Sequence, residues 1–178
     1  MNRVGILCDL SHVGSKSSKD TTLASDKPVA YTHCLPSGLK AHPRNKSDAE
    51  LRFIADHGGF IGVTMFPPFL RRGIESTVDD YVQAIDYVVN MAGEDSVGIG
   101  TDFTQGYGRE FFDWITHDKG YARRLTEFGE IVNPQGIRTI GEFPSLTAAM
   151  VRKGWPEARI RKIMGDNWLA LLARVWGE

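Results

Sequence analysis

Short apolar runs alternate with longer amphipathic segments along the chain, and this pattern predicts strands that are each followed by a helix. Four runs are predominantly apolar, which is typical of strands buried on both faces of a sheet. Pro28 stands at the entry of the second run, where a strand needs no ladder donor. The predicted strands cover residues 4–10, 28–33, 60–65 and 97–101.

Helix signals occur between and after these runs. Ser47 and Glu50 have the spacing of a capping box, so a helix is expected to begin there and to end at the following glycine pair. Residues 77–91 show the clearest helical pattern, with one apolar stripe and Gly93 at its end. Residues 15–25 are predicted to be helical on a weaker pattern. Three helices are expected to close the chain, over residues 145–153, 156–164 and 167–175.

The order of the predicted elements indicates an α/β fold. Strands that alternate with helices form a parallel sheet with right-handed crossovers. A closed (β/α)8 barrel typically needs about 250 residues, whereas this chain has 178 residues and four strand–helix units. We therefore expect about half of a TIM-like barrel with additional helices at the C-terminus, folded as a single partial domain over residues 1–178. Because the first buried strand is predicted close to Met1, this domain is expected to be truncated at its N-terminus.

Composition and charge argue against several classes of function. The net charge is −1, so the chain has no basic excess with which to neutralise phosphates, and no nucleic-acid partner is expected. No apolar run approaches the roughly 18 residues that can cross a bilayer, and no signal peptide is evident, so no membrane partner is expected. The two cysteines, Cys8 and Cys34, do not suggest a disulfide framework, and a cytoplasmic location is expected.

Side chains that suit metal or proton chemistry follow three of the four predicted strands. His12 follows the first strand, His33 ends the second and Asp102 follows the fourth. In barrels the C-terminal ends of the strands line the active site, and imidazole and carboxylate are both zinc ligands. The two histidines would come from adjacent strands, where they can share a divalent ion. The pattern alone leaves a second interpretation open, in which each histidine is a hydrogen-bonded structural residue.

A long connection follows Asp102. Residues 103–138 exceed the usual length of a connection in a compact domain, and they are rich in aromatic side chains, which a solvated linker would lack. This composition favours a lid or a pocket wall. The aromatic residues are Phe103, Tyr107, Phe111, Phe112, Trp114, Tyr121 and Phe128.

Six local sequences, in the same order along the chain, resemble segments of the membrane (renal) dipeptidase family of zinc metallopeptidases. Residues 9–14 (DLSHVG) are similar to the family's Asp-Leu-Ser-His segment, and residues 32–34 (THC) stand where the family has Ser-His-Ser. The ordered set covers essentially the whole chain. The other four segments are residues 42–45 (HPRN), 58–63 (GGFIGV), 97–103 (VGIGTDF) and 165–169 (GDNWL).

The resemblance implies the C-terminal half of a (β/α)8 barrel that, when complete, holds two zinc ions and hydrolyses dipeptides or related small amides. His12 and His33 match the family's two histidine ligands of the second zinc. Arg44 matches an arginine that binds the substrate carboxylate, and an arginine fork suits that role better than a lysine does. Asp102 matches an aspartate near the substrate amine, where a carboxylate can relay a proton to the leaving group.

The chain departs from the family pattern in ways that bear on activity. The ligands of the first zinc and the glutamate that bridges both ions have no counterpart, so one partial metal site is expected. The isolated chain is therefore expected to have little or no peptidase activity. Two alternatives stay open. One is another binuclear amidohydrolase, acting on lactones, phosphotriesters or cyclic amides. The other is a non-catalytic half-barrel that assembles as a homodimer through its open sheet edges.

Overall fold

The computed structural model describes residues 1–103, 105–117 and 130–177, and within them four parallel strands form one sheet in chain order. Sequential parallel neighbours require a crossover after each strand, and helices supply these crossovers. The α/β fold predicted from the alternating pattern is confirmed. The strands are β1 (Cys8–Asp9), β2 (Val29–Cys34), β3 (Phe60–Val63) and β4 (Val97–Ile99).

The first strand is much shorter than predicted. Residues Asn2–Val4 form a single 3-10 turn that ends at Gly5, which has a φ of 67°. Val4 and Ile6 are both more than half exposed, and only Cys8 and Asp9 pair with β2. The apolar run of residues 4–10 is therefore not a buried strand along its whole length, because β2 begins at Val29, opposite Cys8, and leaves the start of the run without a partner strand.

The first three helices lie where the sequence predicts them. They are α1 (Ser15–Ala24), α2 (Asp48–Asp56) and α3 (Val78–Ala92). The Ser47 capping box is confirmed, since the Ser47 amide donates to Glu50 Oε2 at 2.9 Å and the Glu50 amide donates to Ser47 Oγ at 3.3 Å. Thr77 and Asp80 form a second box at the start of α3. The stripe of α3 that the sequence marks as apolar faces the sheet. Its fully buried members are Tyr81, Val82, Ile85 and Val88.

The long connection after β4 contains a helix that its sequence pattern did not predict. This helix, α4 (Arg109–Ile115), is too short to show a periodic apolar stripe, and it follows Gly108 without a side-chain cap. The Tyr107 ring stacks on the Phe111 ring, with a centroid distance of 4.1 Å. Tyr121 and Phe128 lie outside the described residues. The role of this connection as a lid or pocket wall stays a prediction.

The C-terminal helices form one longer unit than predicted. After α5 (Phe143–Arg152), the helices α6 (Glu157–Arg161) and α7 (Asn167–Trp176) are joined by a π-helical turn over Lys162–Asp166. At the start of α7, Asn167 Nδ2 donates to the carbonyls of Glu94 and Val97 at 2.6 and 2.7 Å. The start of α7 is thereby fastened to β4.

The two faces of the sheet are covered differently. Side chains of β3 point alternately to the two faces. On one face, Ile61 and Val63 pack against α2 and α3 in the main core. On the other face, Phe60 packs with Leu171 and Val175 of α7 in a smaller cluster. The face that carries Phe60 is the second face of the sheet. Among the described residues, no helix has both the length and the apolar character that crossing a membrane requires.

Candidate metal and substrate site

Three of the four side chains singled out from the sequence meet beyond the carboxyl ends of β1 and β2. His12 Nε2 lies 2.9 Å from His33 Nε2, and Arg44 Nη2 lies 3.0 Å from the same His12 nitrogen. The fourth, Asp102, follows β4 and is exposed, with a left-handed backbone φ of 53°. Burial lowers the pKa values of His12 and Arg44, and the Asp102 carboxylate opposes this lowering in part, so Asp102 acts on the group electrostatically.

A turn, and not the strand itself, carries His12. The Leu10 amide donates to the Ala30 carbonyl at 2.8 Å and so continues the pairing of β1 with β2 by one residue. The Val13 amide then donates to the Leu10 carbonyl at 3.0 Å, which closes a tight turn. Ser11 is buried within this turn and His12 is exposed. The turn therefore aims the imidazole toward the strand that carries His33.

A bulge in β2 sets the direction of His33. Tyr31 pairs with Ile61 and Cys34 pairs with Val63, so β2 uses one more residue than β3 over the same length. The bulge turns the Thr32 carbonyl over the second face of the sheet. A Cβ atom at Gly62 or Gly100 would lie 2.0 Å from that oxygen. Glycine is therefore required at both positions for the bulge to form, as is common where two backbones approach closely.

Asp9 lies behind His33 in a hydrogen-bonded network. Its Oδ1 accepts hydrogen bonds from the Ser11 amide at 2.9 Å, the Ser11 hydroxyl at 2.5 Å and the Thr32 amide at 3.1 Å. The His33 amide donates to Ser11 Oγ at 3.0 Å. His33 Nδ1 lies 2.8 Å from Thr32 Oγ1 and 3.9 Å from Asp9 Oδ2. The network fixes the ring so that Nε2 faces His12.

Asp9 was not among the site residues predicted from the sequence. If the strand continued to His12, the side chains of Asp9 and His12 would point to opposite faces of the sheet, and Asp9 was left out for that reason. The alternation does not apply, because β1 ends at Asp9 and His12 lies in the turn beyond it. Strand alternation would also point Cys8 the same way as His12, whereas Cys8 packs against the main core. A carboxylate near the end of a predicted strand was the available signal.

Electrostatics favours a neutral His12 and a charged Asp9. Burial lowers the pKa of His12, and the Arg44 guanidinium and His33 lower it further. Burial alone would raise the pKa of Asp9, but the hydrogen bonds from Ser11 and Thr32 outweigh it and hold that pKa below its usual value. Neutral imidazole is the form that binds a metal, and a carboxylate behind a histidine supports that form.

The two imidazoles fit a metal ion as part of a ligand set. Their Nε2 atoms converge, and the Nδ1 atom of His33 has the oxygen neighbours that fix a ligating tautomer. Imidazole suits zinc among other transition metals. In the part of the chain that the structure describes, no group of three or more histidine, cysteine, aspartate or glutamate side chains could hold an ion. The histidine pair therefore supplies only part of a coordination shell.

The loop between β2 and α2 presents Arg44 next to this pair. The Arg44 amide donates to His42 Nδ1 at 3.1 Å, and the guanidinium lies 5.7 Å from the centre of the Phe69 ring. Asn45 Nδ2 donates to the carbonyls of Lys40 and Phe69, at 2.8 and 3.2 Å. The loop is thus bonded to the segment after β3, and the Arg44 guanidinium is held beside the His12 imidazole.

A family sequence model and several known proteins match large parts of this chain. The sequence model of the membrane dipeptidase family (peptidase family M19) matches residues 1–123. An uncharacterized protein of the pqqA 5′ region of Klebsiella pneumoniae is 29% identical over 100% of this chain and 58% of its own length. Dipeptidase tcpJ of Claviceps purpurea is 29% identical over 98% of this chain and 36% of its own.

Solved structures share the fold over nearly all of the chain. An amidohydrolase from Pseudomonas aeruginosa superposes with a TM-score of 0.98 at 70% identity, covering 100% of this chain and 55% of that one. A metallopeptidase from Rhodobacter sphaeroides, solved with a phosphinate mimic of the dipeptide L-Ala-D-Ala, gives a TM-score of 0.78 at 30% identity, covering 98% and 44%. The chain spans about half the length of these relatives, and its strand–helix units correspond to part of a TIM-like barrel. The chain belongs to the membrane dipeptidase family, peptidase family M19.

Proposed function

We propose that this chain contributes His12, His33, Arg44 and Asp102 to the active site of a zinc-dependent dipeptidase. The observation that carries the proposal is the convergence of two imidazole Nε2 atoms, 2.9 Å apart, with a guanidinium 3.0 Å from one of them. The pair offers metal ligands, and the guanidinium offers an anion site beside them. A dipeptide has its scissile amide close to its free carboxylate, so it fits such a pairing.

The histidine pair would hold one of the two zinc ions proposed for a complete site. When bound, zinc supplies a Lewis acid that polarises the scissile carbonyl. His12 and His33 would be the ligands through Nε2, and the network of Asp9 and Thr32 would keep the His33 ring in its ligating orientation. The remaining ligands would come from elsewhere in a complete barrel, of which residues 1–178 are proposed to form one C-terminal half.

Arg44 and Asp102 are proposed to bind the two charged ends of the substrate. The planar guanidinium of Arg44 can pair with a carboxylate through two parallel hydrogen bonds. Asp102 is exposed beyond β4, where its carboxylate can bind an ammonium group or pass a proton to the leaving amine. Two relatives support a dipeptide as the substrate: one is named a dipeptidase, and another was solved with a phosphinate mimic of L-Ala-D-Ala.

The proposal extends to compartment and assembly. Cys8 and Cys34 are both free, and burial raises the pKa of the Cys34 thiol to about 12. Free thiols suit a reducing compartment such as the cytoplasm. Within the described residues β1 and β4 are the two edges of the sheet, and a second copy that covered these edges in place of the rest of a barrel would give a homodimer.

A chimera provides the test of activity. This chain would replace the matched segment of the P. aeruginosa amidohydrolase, which is 70% identical to it. We expect the zinc-loaded chimera to hydrolyse L-Ala-D-Ala and to lose that activity on His12→Ala, His33→Ala or Asp102→Asn. A chimera that folds, binds zinc and leaves dipeptides intact would contradict the proposal. The 178-residue chain alone is expected to have little or no activity.

A panel of substrates separates the dipeptidase from other amidohydrolases. Arg44 predicts a requirement for a free substrate carboxylate. L-Ala-D-Ala should therefore be cleaved, whereas its C-terminal amide, a lactone, a phosphotriester and a cyclic amide should not. Preferred cleavage of one of the last three would replace the dipeptidase with one of the alternative activities.

A further inference from the structure

A charged lysine is buried between the segments that carry the two histidines. Lys46 is 6% exposed, and its Nζ donates to the Val13 carbonyl at 2.7 Å. The same Nζ lies 4.7 Å from the centre of the Tyr31 ring. Val13 follows His12 directly, and Tyr31 stands two residues before His33. One ammonium group therefore contacts both histidine-bearing segments.

The main chain of Lys46 also connects these segments to the loop between β2 and α2 that carries Arg44. Its amide donates to the Leu35 carbonyl at 2.8 Å, and its carbonyl accepts from the Ser37 amide at 2.8 Å. These bonds fasten residue 46 to the segment that directly follows β2. Arg44 is two residues away along the same loop. Lys46 thus stands where the His12 turn, the His33 strand and the Arg44 loop meet.

Packing alone does not account for a lysine at this place. Burial lowers the pKa of Lys46, and the Glu50 carboxylate opposes this only in part. An apolar side chain of similar length would fill the volume without the desolvation cost of an ammonium group. What an apolar side chain would lack is the donor to the Val13 carbonyl. Ser18 Oγ also donates to that carbonyl, at the longer distance of 3.3 Å.

We propose that Lys46 is a positioning residue. Its ammonium group holds the turn that carries His12, so that the His12 imidazole stays next to His33 and Arg44. Lys46 touches neither of the imidazoles that would bind the ion, so it acts through the backbone of the turn. The inference rests on the proposed function, because it assigns Lys46 a purpose through the histidine pair.

Lys40 offers a matched control. It lies in the same loop, is partly buried and donates from Nζ to a carbonyl, that of Pro68, at 2.8 Å. That carbonyl lies outside the His12 turn and β2. Lys40→Met therefore removes an equivalent bond from the same loop, whereas Lys46→Met removes the tether. Both variants are made in the 178-residue chain.

Two measurements decide the proposal. Amide hydrogen exchange at Val13, whose N–H is bonded to Leu10 O, reports on the turn without any metal. Zinc affinity, measured by competition with a chromophoric chelator, reports on the histidine pair. In Lys46→Met we expect faster Val13 exchange than in Lys40→Met, and a zinc affinity at least about tenfold weaker, as found for supporting residues of metal sites. Thermal unfolding of both variants separates this from a general loss of stability.

Equal Val13 exchange and equal zinc affinity in the two variants would overturn the proposal. If the unaltered chain binds no zinc, the histidine metal site is contradicted for this chain, while Val13 exchange still decides whether Lys46 is a tether. Should Lys46→Met not fold, Lys46→Leu takes its place, because it also removes the donor to the Val13 carbonyl and has a shorter side chain. Faster exchange and weaker zinc binding than in Lys40→Met then support the role, and values equal to those of Lys40→Met overturn it.

Discussion

The bulge that directs His33 can be tested by adding a single methyl group to the glycines beneath it. Gly62 lies on β3 and Gly100 directly follows β4, and both face the Thr32 carbonyl oxygen. Gly62→Ala and Gly100→Ala each put a Cβ atom 2.0 Å from that oxygen. Gly165→Ala is the matched control, because nothing lies within 4 Å of the Cβ position there.

The size of the effect follows from the distances. The new Cβ would lie 2.0 Å from Thr32 O, and Cβ atoms practically never come within 3.0 Å of another heavy atom. The carbonyl must therefore move by at least about 1 Å. The three atoms nearest to the Gly62 Cβ position are all backbone, so no flexible side chain can yield in their place. Overpacking of this kind costs about 1–3 kcal/mol. His33, the next residue, would move beyond the roughly 0.5 Å that a working site tolerates.

Urea unfolding of the chain and zinc affinity of the chimera measure the two consequences. Gly62→Ala and Gly100→Ala should each lower the free energy of unfolding by about 1–3 kcal/mol and weaken zinc binding at least about tenfold. Gly165→Ala should be neutral or should stabilise by up to about 1 kcal/mol, as expected for a helical glycine. The reasoning is refuted if all three variants unfold and bind zinc alike.

Three further predictions concern the arginine, a helix cap and the carboxylate behind His33. Arg44→Lys in the chimera should raise KM for dipeptides about tenfold or more with a smaller change in kcat, because lysine cannot form the two parallel bonds; an unchanged KM would contradict carboxylate binding. Glu50→Gln should lower the free energy of unfolding by about 1 kcal/mol at pH 7. Burial alone would raise the pKa of Glu50, but the hydrogen bonds from Ser47 outweigh it and hold that pKa below 4.5. The difference in the free energy of unfolding between Glu50→Gln and the unaltered chain should therefore persist above pH 4.5 and vanish as the pH falls through the folded-state pKa of Glu50. A difference that stays constant with pH would contradict this prediction. Asp9→Asn should weaken zinc binding about tenfold in a calorimetric titration, and an unchanged affinity would show that the carboxylate does not support His33.

Much of the fold was predictable because its signals are local. The capping box at Ser47 and the stripe of α3 depend on residues a few positions apart, and both are present as predicted. The extent of β1 was not predictable, because it depends on how many residues of β2 lie opposite. The π-helical turn before Asn167 was not predictable either, since it depends on the distant carbonyls of Glu94 and Val97 that Asn167 reaches.

The candidate site was predictable in part for the same reason. His12, His33 and Arg44 were marked by strand ends and by a family resemblance, and they do lie together. Asp9 was missed because its role depends on where the pairing of β1 stops. Lys46 carried no signal at all, since a lysine in a polar loop is usually exposed and its burial appears only in three dimensions.

Zinc content of the chimera tests the central claim most directly. The chimera should hold two zinc ions per chain after dialysis. His12→Ala and His33→Ala should each hold one ion fewer. The control is His57→Ala, which alters an exposed histidine bonded to the Phe53 carbonyl, and it should keep both ions. Full zinc content in both His12→Ala and His33→Ala would contradict the assignment of these two imidazoles to one metal ion.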